Sequence, residues 1–122
     1  MPKKILIIDD DASSNELGAR FLRSLGFEVV TTESAFSTAA LITAEEPDLV
    51  LVDVRMPGLA GDTLVRIAKG RPGGTRCPFV LYSTSDPTGL AMLAKECGAD
   101  GHIHKSGRLQ ELDASVRRYI GE

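Results

Sequence analysis

The chain has 122 residues, of which 43% are apolar, 25% charged and 5% aromatic, so we predict a single globular domain over residues 1–122. The net charge of −3 predicts no direct contact with nucleic acid. No apolar run approaches the roughly 20 residues that cross a bilayer, and the N-terminus is not a secretory signal, so we expect a cytoplasmic protein without membrane contact.

Predicted strands and helices alternate along the chain. The strands are short apolar or β-branched runs, and the helices have apolar residues spaced three and four apart. In chain order these patterns predict a strand at 5–8, a helix at 13–25, a strand at 27–32, a helix at 35–44, a strand at 49–52, a helix at 62–69, a strand at 79–82, a helix at about 90–97, a strand at 101–104 and a helix at 109–120. This alternation indicates an α/β fold with a doubly wound five-stranded parallel sheet.

Four further features of the sequence indicate loops, mobility or core packing rather than chemistry. The stretch 70–76 is rich in Gly and Pro and predicts a surface loop. The fourth helix follows Pro87-Thr88-Gly89, whose weak start signals are typical of a movable element. The isolated Cys77 and Cys97 are expected to be small buried hydrophobic residues. The aromatic residues are spaced as core residues, namely Phe21, Phe27, Phe36, Phe79 and Tyr82.

Acidic residues follow two of the predicted strands. Asp9, Asp10 and Asp11 end the first strand, and Asp53 ends the third. If these strands are neighbours, their carboxylates repel by up to about 4 kcal/mol per pair at about 4 Å, so either one is protonated or a cation lies among them. Oxygen ligands favour Mg²⁺. The alternative is that the acids cap the following helix, a role that suits Asp11 or Ser13 but not Asp53.

The ends of the fourth and fifth strands carry a hydroxyl group and a cation. Ser83-Thr84-Ser85 follows the fourth strand, and Lys105 follows the fifth. Individually, a Ser after a strand usually caps a helix, and a Lys there is usually solvated. Together with the acids, these groups form a set in which a carboxylate beside Mg²⁺ can attack phosphorus and hold the resulting acyl phosphate.

These strand ends resemble those of the response-regulator receiver domains, the CheY-like family. The resemblance covers essentially the whole chain and rests on four segments in order: Ile5-Leu-Ile-Ile-Asp9-Asp10-Asp11, Asp53-Val-Arg-Met56-Pro57-Gly-Leu-Ala-Gly61, Pro78-Phe-Val-Leu-Tyr-Ser83 and Gly98-Ala-Asp-Gly-His-Ile-His-Lys105. It implies the flavodoxin-like (βα)5 fold of that family, with strand order 2-1-3-4-5.

The resemblance also implies a role for each residue at the acidic end of the site. Asp53 would be the phosphoacceptor. Asp9 and Asp10, together with Asp53 and the backbone carbonyl of Arg55, would hold Mg²⁺. Arg55 is large and cationic for its position, two residues after the acceptor.

The remaining implied roles belong to the switch. Ser83 would be the switch hydroxyl, and Lys105 would contact the phosphoryl group. His102 occupies the position of the switch aromatic residue, whose inward turn would change the face formed by the fourth helix, fifth strand and fifth helix. Equally, His102 can be a partly exposed strand residue. The chain departs from the family pattern at Ser106, where Pro is usual, and at Thr84, where a smaller residue is usual.

The resulting hypothesis is a phosphorylation-dependent signalling switch of a two-component phosphorelay, not an enzyme that turns over a separate substrate. Its donor would be a sensor histidine kinase or a phosphotransfer protein. No effector domain follows Glu122, so we expect the output to pass to a downstream protein or to an effector domain outside this sequence.

Two alternatives remain open. One is a Mg²⁺-dependent phosphatase with an aspartyl nucleophile, although Asp53-Val-Arg55 lacks the second acid of the familiar Asp-x-Asp pattern. The other is a flavodoxin-like ligand-binding module, although no Gly-rich phosphate turn follows the first strand.

Overall fold

Strands and helices alternate through the whole computed structural model, which describes residues 2–56, 58–70, 77–106 and 108–121. In chain order the elements are β1 (Lys4–Ile8), α1 (Ala12–Ser24), β2 (Glu28–Thr32), a 3-10 turn (Ala35–Ser37), α2 (Thr38–Glu45), β3 (Leu49–Val52), α3 (Gly61–Gly70), β4 (Phe79–Ser83), α4 (Pro87–Cys97), β5 (Gly101–His104) and α5 (Leu109–Tyr119). The strands form one parallel sheet in the order β2-β1-β3-β4-β5, which confirms the predicted fold class and topology.

The register of the central strands determines where the site lies. Ile8 of β1 pairs with Val52 of β3, so the residues that follow these two strands leave the sheet side by side. In a parallel sheet all carboxyl ends lie at one edge, and the change of chain direction between β1 and β3 opens a crevice there.

The sheet is apolar on both of its faces. Alternate residues of the central strands pack against α3 and α4 on one face and against α1 and α5 on the other, as expected of a parallel sheet with both faces covered by helices. The strands β1 and β3 are almost completely buried, and this burial fixes the strand ends that carry the polar residues. No helix among the described residues is long and apolar enough to cross a membrane.

The beginning of α4 differs from the prediction. The helix starts at Pro87, about three residues earlier than expected, and Asp86 is its N-cap, with a carboxylate oxygen that accepts a hydrogen bond from the Gly89 amide at 3.0 Å. A capping side chain and a Pro in the first turn are strong start signals. The expectation of a helix with weak start signals was therefore wrong, because its N-cap, Asp86, lies one residue before Pro87-Thr88-Gly89.

The expectation that Phe36 belongs to the core was also wrong. Its side chain is 74% exposed in the 3-10 turn before α2, where its ring lies against Gly58. The other four aromatic residues do pack in or against the two core clusters. Cys97 is buried and Cys77 is half-buried. Apart from Gly70, which ends α3, the stretch 70–76 lies outside the described residues, as does Pro57.

Gly61 allows the first turn of α3 to approach the end of β3. A Cβ atom at this position would lie 2.0 Å from the carbonyl oxygen of Asp53 and 3.0 Å from the Val52 side chain. The first contact is with backbone, which cannot rotate away, so only the absence of a side chain permits this packing.

We expect Gly61→Ala to destabilise the protein by about 1–3 kcal/mol, because the β3–α3 loop must shift to admit the methyl group. Thermal unfolding monitored by circular dichroism measures the effect. The matched control is Gly70→Ala at the other end of the same helix, where an added Cβ meets no atom of the described residues within 4 Å. Equal melting temperatures for the two variants would contradict the role given to Gly61.

Candidate functional site

Polar residues from four strand ends meet at the carboxyl edge of the sheet. The chain remains in sheet-like pairing one residue beyond the strands, because the Asp53 amide donates to the Ile8 carbonyl at 2.8 Å and the Lys105 amide donates to the Ser83 carbonyl at 2.8 Å. The backbone of these polar positions is therefore held by the sheet itself.

Three carboxylates form the acidic part of the site. Asp9, Asp10 and Asp53 each offer one oxygen atom, and these atoms all lie within 4.8 Å of one another. Asp9 is only 1% exposed, Asp53 is half-buried and Asp10 is exposed. The cluster therefore lies at the protein surface but is closed off on the side of the sheet.

The buried carboxylate of Asp9 has partners on both oxygens. Its Oδ1 accepts a hydrogen bond from the Asp11 amide at 2.9 Å, and its Oδ2 forms an ion pair with the Lys105 ammonium. The same ammonium donates to Ser14 Oγ at 3.0 Å and lies 4.9 Å from the centre of the Tyr82 ring. Lys105 thus links β5 to α1 across the end of the sheet.

The pKa of the Asp53 carboxyl is raised above its ordinary value of 3.8. The largest cause is burial, which disfavours the charged form, and the negative charge of Asp9 adds to it. The Lys105 ammonium and the Arg55 backbone amide act in the opposite direction and offset part of this effect, while Asp10 raises the pKa slightly. Asp53 is therefore a carboxylate in an environment that favours an added positive charge.

Helix capping accounts for Asp11, which lies outside the acidic cluster, but not for Asp10 or Asp53 within it. The carboxylate of Asp11 accepts hydrogen bonds from the amides of Ser13 at 2.9 Å and Ser14 at 3.4 Å, so Asp11 is the N-cap of α1. The carboxylates of Asp10 and Asp53 cap no helix in the described part of the chain. The capping alternative thus holds only for Asp11, one of the two residues it was expected to suit.

The predicted switch residues Ser83 and His102 lie on β4 and β5, the two strands that follow β3 in the sheet. Ser83 is 1% exposed, and its Oγ is 3.0 Å from Ser85 Oγ and accepts the Ser85 amide at 3.1 Å. His102 is half-buried on β5, next to Leu81 of β4 in the sheet register. Its backbone amide and carbonyl both face the Tyr119 hydroxyl, at 3.3 and 3.4 Å. Thr84 is exposed.

The donor set of the cluster fits a hard divalent cation. All three side chains offer carboxylate oxygens, which Mg²⁺ prefers, and no thiol or imidazole contributes to the cluster among the described residues. Burial first and the negative charge of Asp9 second raise the pKa of Asp53, and a bound cation would offset both. Arg55 lies two residues after Asp53, and its side chain is exposed. Its backbone carbonyl is the further candidate ligand that the family resemblance implies.

Sequence reasoning missed two residues of α1 that line the site. Ser14 contacts the Lys105 ammonium, and Asn15 donates from its side-chain amide to the Asp9 carbonyl at 2.7 Å. The available signal was weak. A polar residue at position 15, next to the buried Gly18 and Ala19 on the sheet-facing side of an amphipathic helix, is uncommon when no partner is present.

Comparison with known proteins identifies what this architecture is similar to. The family model described as the response regulator receiver domain matches residues 5–117. The DNA-binding response regulator MtrA of Mycobacterium tuberculosis is 33% identical over 117 residues, which cover 96% of this chain and 50% of that protein. The phosphate regulon transcriptional regulatory protein PhoB of Pseudomonas aeruginosa is 31% identical over 118 residues, or 97% of this chain and 52% of PhoB. The chain thus spans about half the length of these relatives.

Solved structures give the same result. The BeF3-activated N-terminal receiver domain of Klebsiella pneumoniae RstA has 31% sequence identity and a TM-score of 0.88, covering 98% of this chain and all of that one (100%). The chemotaxis protein CheY4 of Vibrio cholerae has a TM-score of 0.87 at 23% identity, over 98% of this chain and 99% of CheY4. The second likeness concerns the fold alone.

We expect Asp53→Asn to raise the stability of the metal-free protein at neutral pH. Because the folded-state pKa of Asp53 is raised, the protonated carboxyl favours folding. That contribution is lost as the pH rises from the unfolded value near 3.8 through the folded-state pKa. Screening at this half-exposed site limits the gain to about 1 kcal/mol, or roughly 4 °C in Tm.

Thermal melts in EDTA at pH 7 and at acidic pH measure this difference. It should be present at pH 7 and disappear below the unfolded-state pKa. The control is Asp86→Asn, which also removes one carboxylate but keeps a capping side chain at the start of α4. A wild-type protein more stable than Asp53→Asn at pH 7 would contradict the raised pKa of Asp53 in the folded protein.

Proposed function

The chain belongs to the family of response regulator receiver domains, and on that premise we propose that Asp53 accepts a phosphoryl group as the switch of a two-component system. One observation carries the proposal. The carboxylates of Asp9, Asp10 and Asp53 converge at one edge of the sheet, with the Lys105 ammonium bound to the first of them. This combination of a nucleophile, a cation-binding set and a fixed positive charge is what phosphoryl transfer requires.

The proposed transfer exchanges one bond of the donor for one bond of the domain. A carboxylate oxygen of Asp53 attacks the phosphorus of a phosphohistidine, an acyl phosphate O–P bond forms, and the P–N bond to the donor imidazole breaks. The leaving imidazole takes up a proton from solvent water. Because Asp53 is half-buried, its exposed part is accessible to an incoming donor, and its buried part restricts the orientation of the side chain.

We assign the metal ligands to the acidic cluster. Asp9, Asp10 and Asp53 would hold Mg²⁺ through carboxylate oxygens, and the Arg55 backbone carbonyl would provide a further ligand. When bound, Mg²⁺ would neutralise charge on the phosphoryl oxygens. The Lys105 ammonium, which the Asp9 carboxylate holds in this structure, would contact the phosphoryl group from the other side.

The switch would act through the hydroxyl of Ser83 and the side chain of His102. An aspartyl phosphate adds nearly two negative charges and strong acceptor oxygens. The buried Ser83 hydroxyl, one strand away from Asp53, would turn from Ser85 to the phosphoryl group. That movement would free space for His102 and change the face formed by α4, β5 and α5.

We further propose that residues 1–122 form one receiver domain that modifies itself and turns over no separate substrate. Its donor would be a sensor histidine kinase or a phosphotransfer protein, which places it in the cytoplasm. MtrA is named a DNA-binding regulator and is about twice as long as this chain. The output would therefore pass to a further domain or a downstream protein, while the receiver itself would not contact nucleic acid.

Incubation with acetyl phosphate and Mg²⁺ followed by intact mass spectrometry tests the acceptor. We expect wild type to gain the mass of one phosphoryl group, and Asp53→Asn to gain none, because an amide oxygen is a poor nucleophile. EDTA should prevent the reaction. Asp113→Asn, a half-buried acid of α5 that pairs with Arg117, is the control and should react as wild type does. Phosphorylation of Asp53→Asn, or none of wild type, would refute the assignment.

A second prediction separates the roles of Lys105 and the metal ligands. Lys105→Met keeps the aliphatic stem but removes the ammonium, and we expect the rate of phosphorylation to fall by about 10²-fold, as for removal of one charge-stabilising donor. Mg²⁺ binding should not weaken, because Asp9 loses a competing cation. Stopped-flow kinetics and calorimetric titration measure the two quantities, with Lys95→Met on the surface of α4 as the control. A loss of both phosphorylation rate and Mg²⁺ affinity in Lys105→Met would contradict this separation of roles.

A further inference from the structure

Asn15 is a buried polar residue on the inner side of α1. Its side chain is 4% exposed and lies behind the acidic cluster, between the ends of β1 and β2. Asn15 contributes no ligand atom to the cluster, so the roles given to the acids do not account for it.

The side-chain amide of Asn15 joins two strand ends. Its Nδ2 donates to the Asp9 carbonyl at 2.7 Å and to the Thr32 carbonyl at 3.3 Å. The Thr32 carbonyl also accepts the Asp9 amide at 3.1 Å. The amide orientation is determined by these partners, because the reverse orientation would place an oxygen against two carbonyl oxygens.

The side-chain oxygen of Asn15 is unpaired among the described residues. Its Oδ1 is buried and has no hydrogen-bond partner among the described residues. A buried acceptor without a donor is unfavourable, and an apolar side chain of similar volume would avoid it. Packing alone therefore does not explain an asparagine at this position, whereas its two donated hydrogen bonds do.

The hydrogen bond to the Asp9 carbonyl bears on Asp10. That carbonyl belongs to the peptide group linking the two residues, so Asn15 fixes the plane from which the Asp10 side chain extends. The Asp9 carboxylate is held by the Asp11 amide and by Lys105. The Asp10 carboxylate is exposed and accepts no hydrogen bond from any described residue. Its place in the cluster depends on its backbone alone.

We propose that Asn15 is a positioning residue for the metal site, which sets cation affinity by holding the Asp9–Asp10 peptide so that the Asp10 carboxylate faces those of Asp9 and Asp53. The inference rests on the proposed Mg²⁺ site and deepens it. Groups that orient metal ligands without touching the metal typically account for 10–100-fold in affinity, and we expect the lower end, about tenfold, for one neutral donor.

Two variants remove the donor. Asn15→Leu has similar volume and also removes the unpaired acceptor, and Asn15→Ala guards against a misfit of the branched side chain. Calorimetric titration with Mg²⁺, and with Mn²⁺ followed by electron paramagnetic resonance of the free ion, gives the dissociation constants. Thermal melts in EDTA report the stability of each variant separately from its metal affinity.

Thr38→Val is the matched control. Thr38 is 3% exposed at the start of α2, and its hydroxyl donates to the Ala35 carbonyl at 2.7 Å, so this variant also replaces a buried donor by an apolar group. It lies outside the acidic cluster. It should lose stability as the Asn15 variants do, with an unchanged dissociation constant.

A dissociation constant about tenfold weaker in both Asn15 variants, with wild-type affinity in Thr38→Val, supports the inference. Wild-type affinity in the Asn15 variants overturns it while the proposed function stands. Equal weakening in Thr38→Val also overturns it, because general loss of stability would then explain the effect. If the wild-type protein binds neither cation, the proposed metal site fails and this inference fails with it.

Discussion

The convergence of three carboxylates, one of them paired with an ammonium, is the interaction around which the site is built. Unit charges about 4 Å apart repel by up to about 4 kcal/mol at a surface-like dielectric, so Asp9, Asp10 and Asp53 do not come together without compensation. Lys105 supplies one positive charge and is bound to Asp9. The remaining negative charge of the cluster leaves the site suited to a divalent cation and then to a phosphoryl group. The pKa of Asp53 is raised by its burial and, second, by the charge of Asp9.

This unfavourable charge cluster is held by two almost completely buried strands. The strands β1 and β3 are buried on both faces, and their hydrogen-bonded register continues into the residues that carry the acids. Gly61 lets α3 pack closely against the backbone of Asp53 on one side. Asn15 ties the backbone of Asp9 to β2 on the other. A large apolar core thus offsets the electrostatic cost at its edge, as is usual when function requires like charges to meet.

The face proposed to report phosphorylation is built differently from the site. The edge strand β5 has a neighbour on one side only, and the Tyr119 hydroxyl lies against the backbone of His102 on β5. The adjoining helix α4 is capped by Asp86 and so has a defined start. A change at Ser83 would therefore act on a face whose helices and strand are well formed. We expect α4, β5 and α5 to shift as whole elements and not to unfold locally.

Most of the fold and the acidic half of the site could be predicted from the sequence. The periods of strands and helices are local properties, and an acid that follows a buried strand must leave the sheet at its carboxyl edge; the strand order came from the family resemblance. Side-chain partners were beyond that reasoning. That Lys105 lies on Asp9 and Ser14, that Asn15 bridges two strand ends and that Phe36 stays exposed depend on distances between residues remote in the chain. Periodicity states which face a residue occupies, but only the packed tertiary structure determines which atoms on that face come within hydrogen-bonding distance.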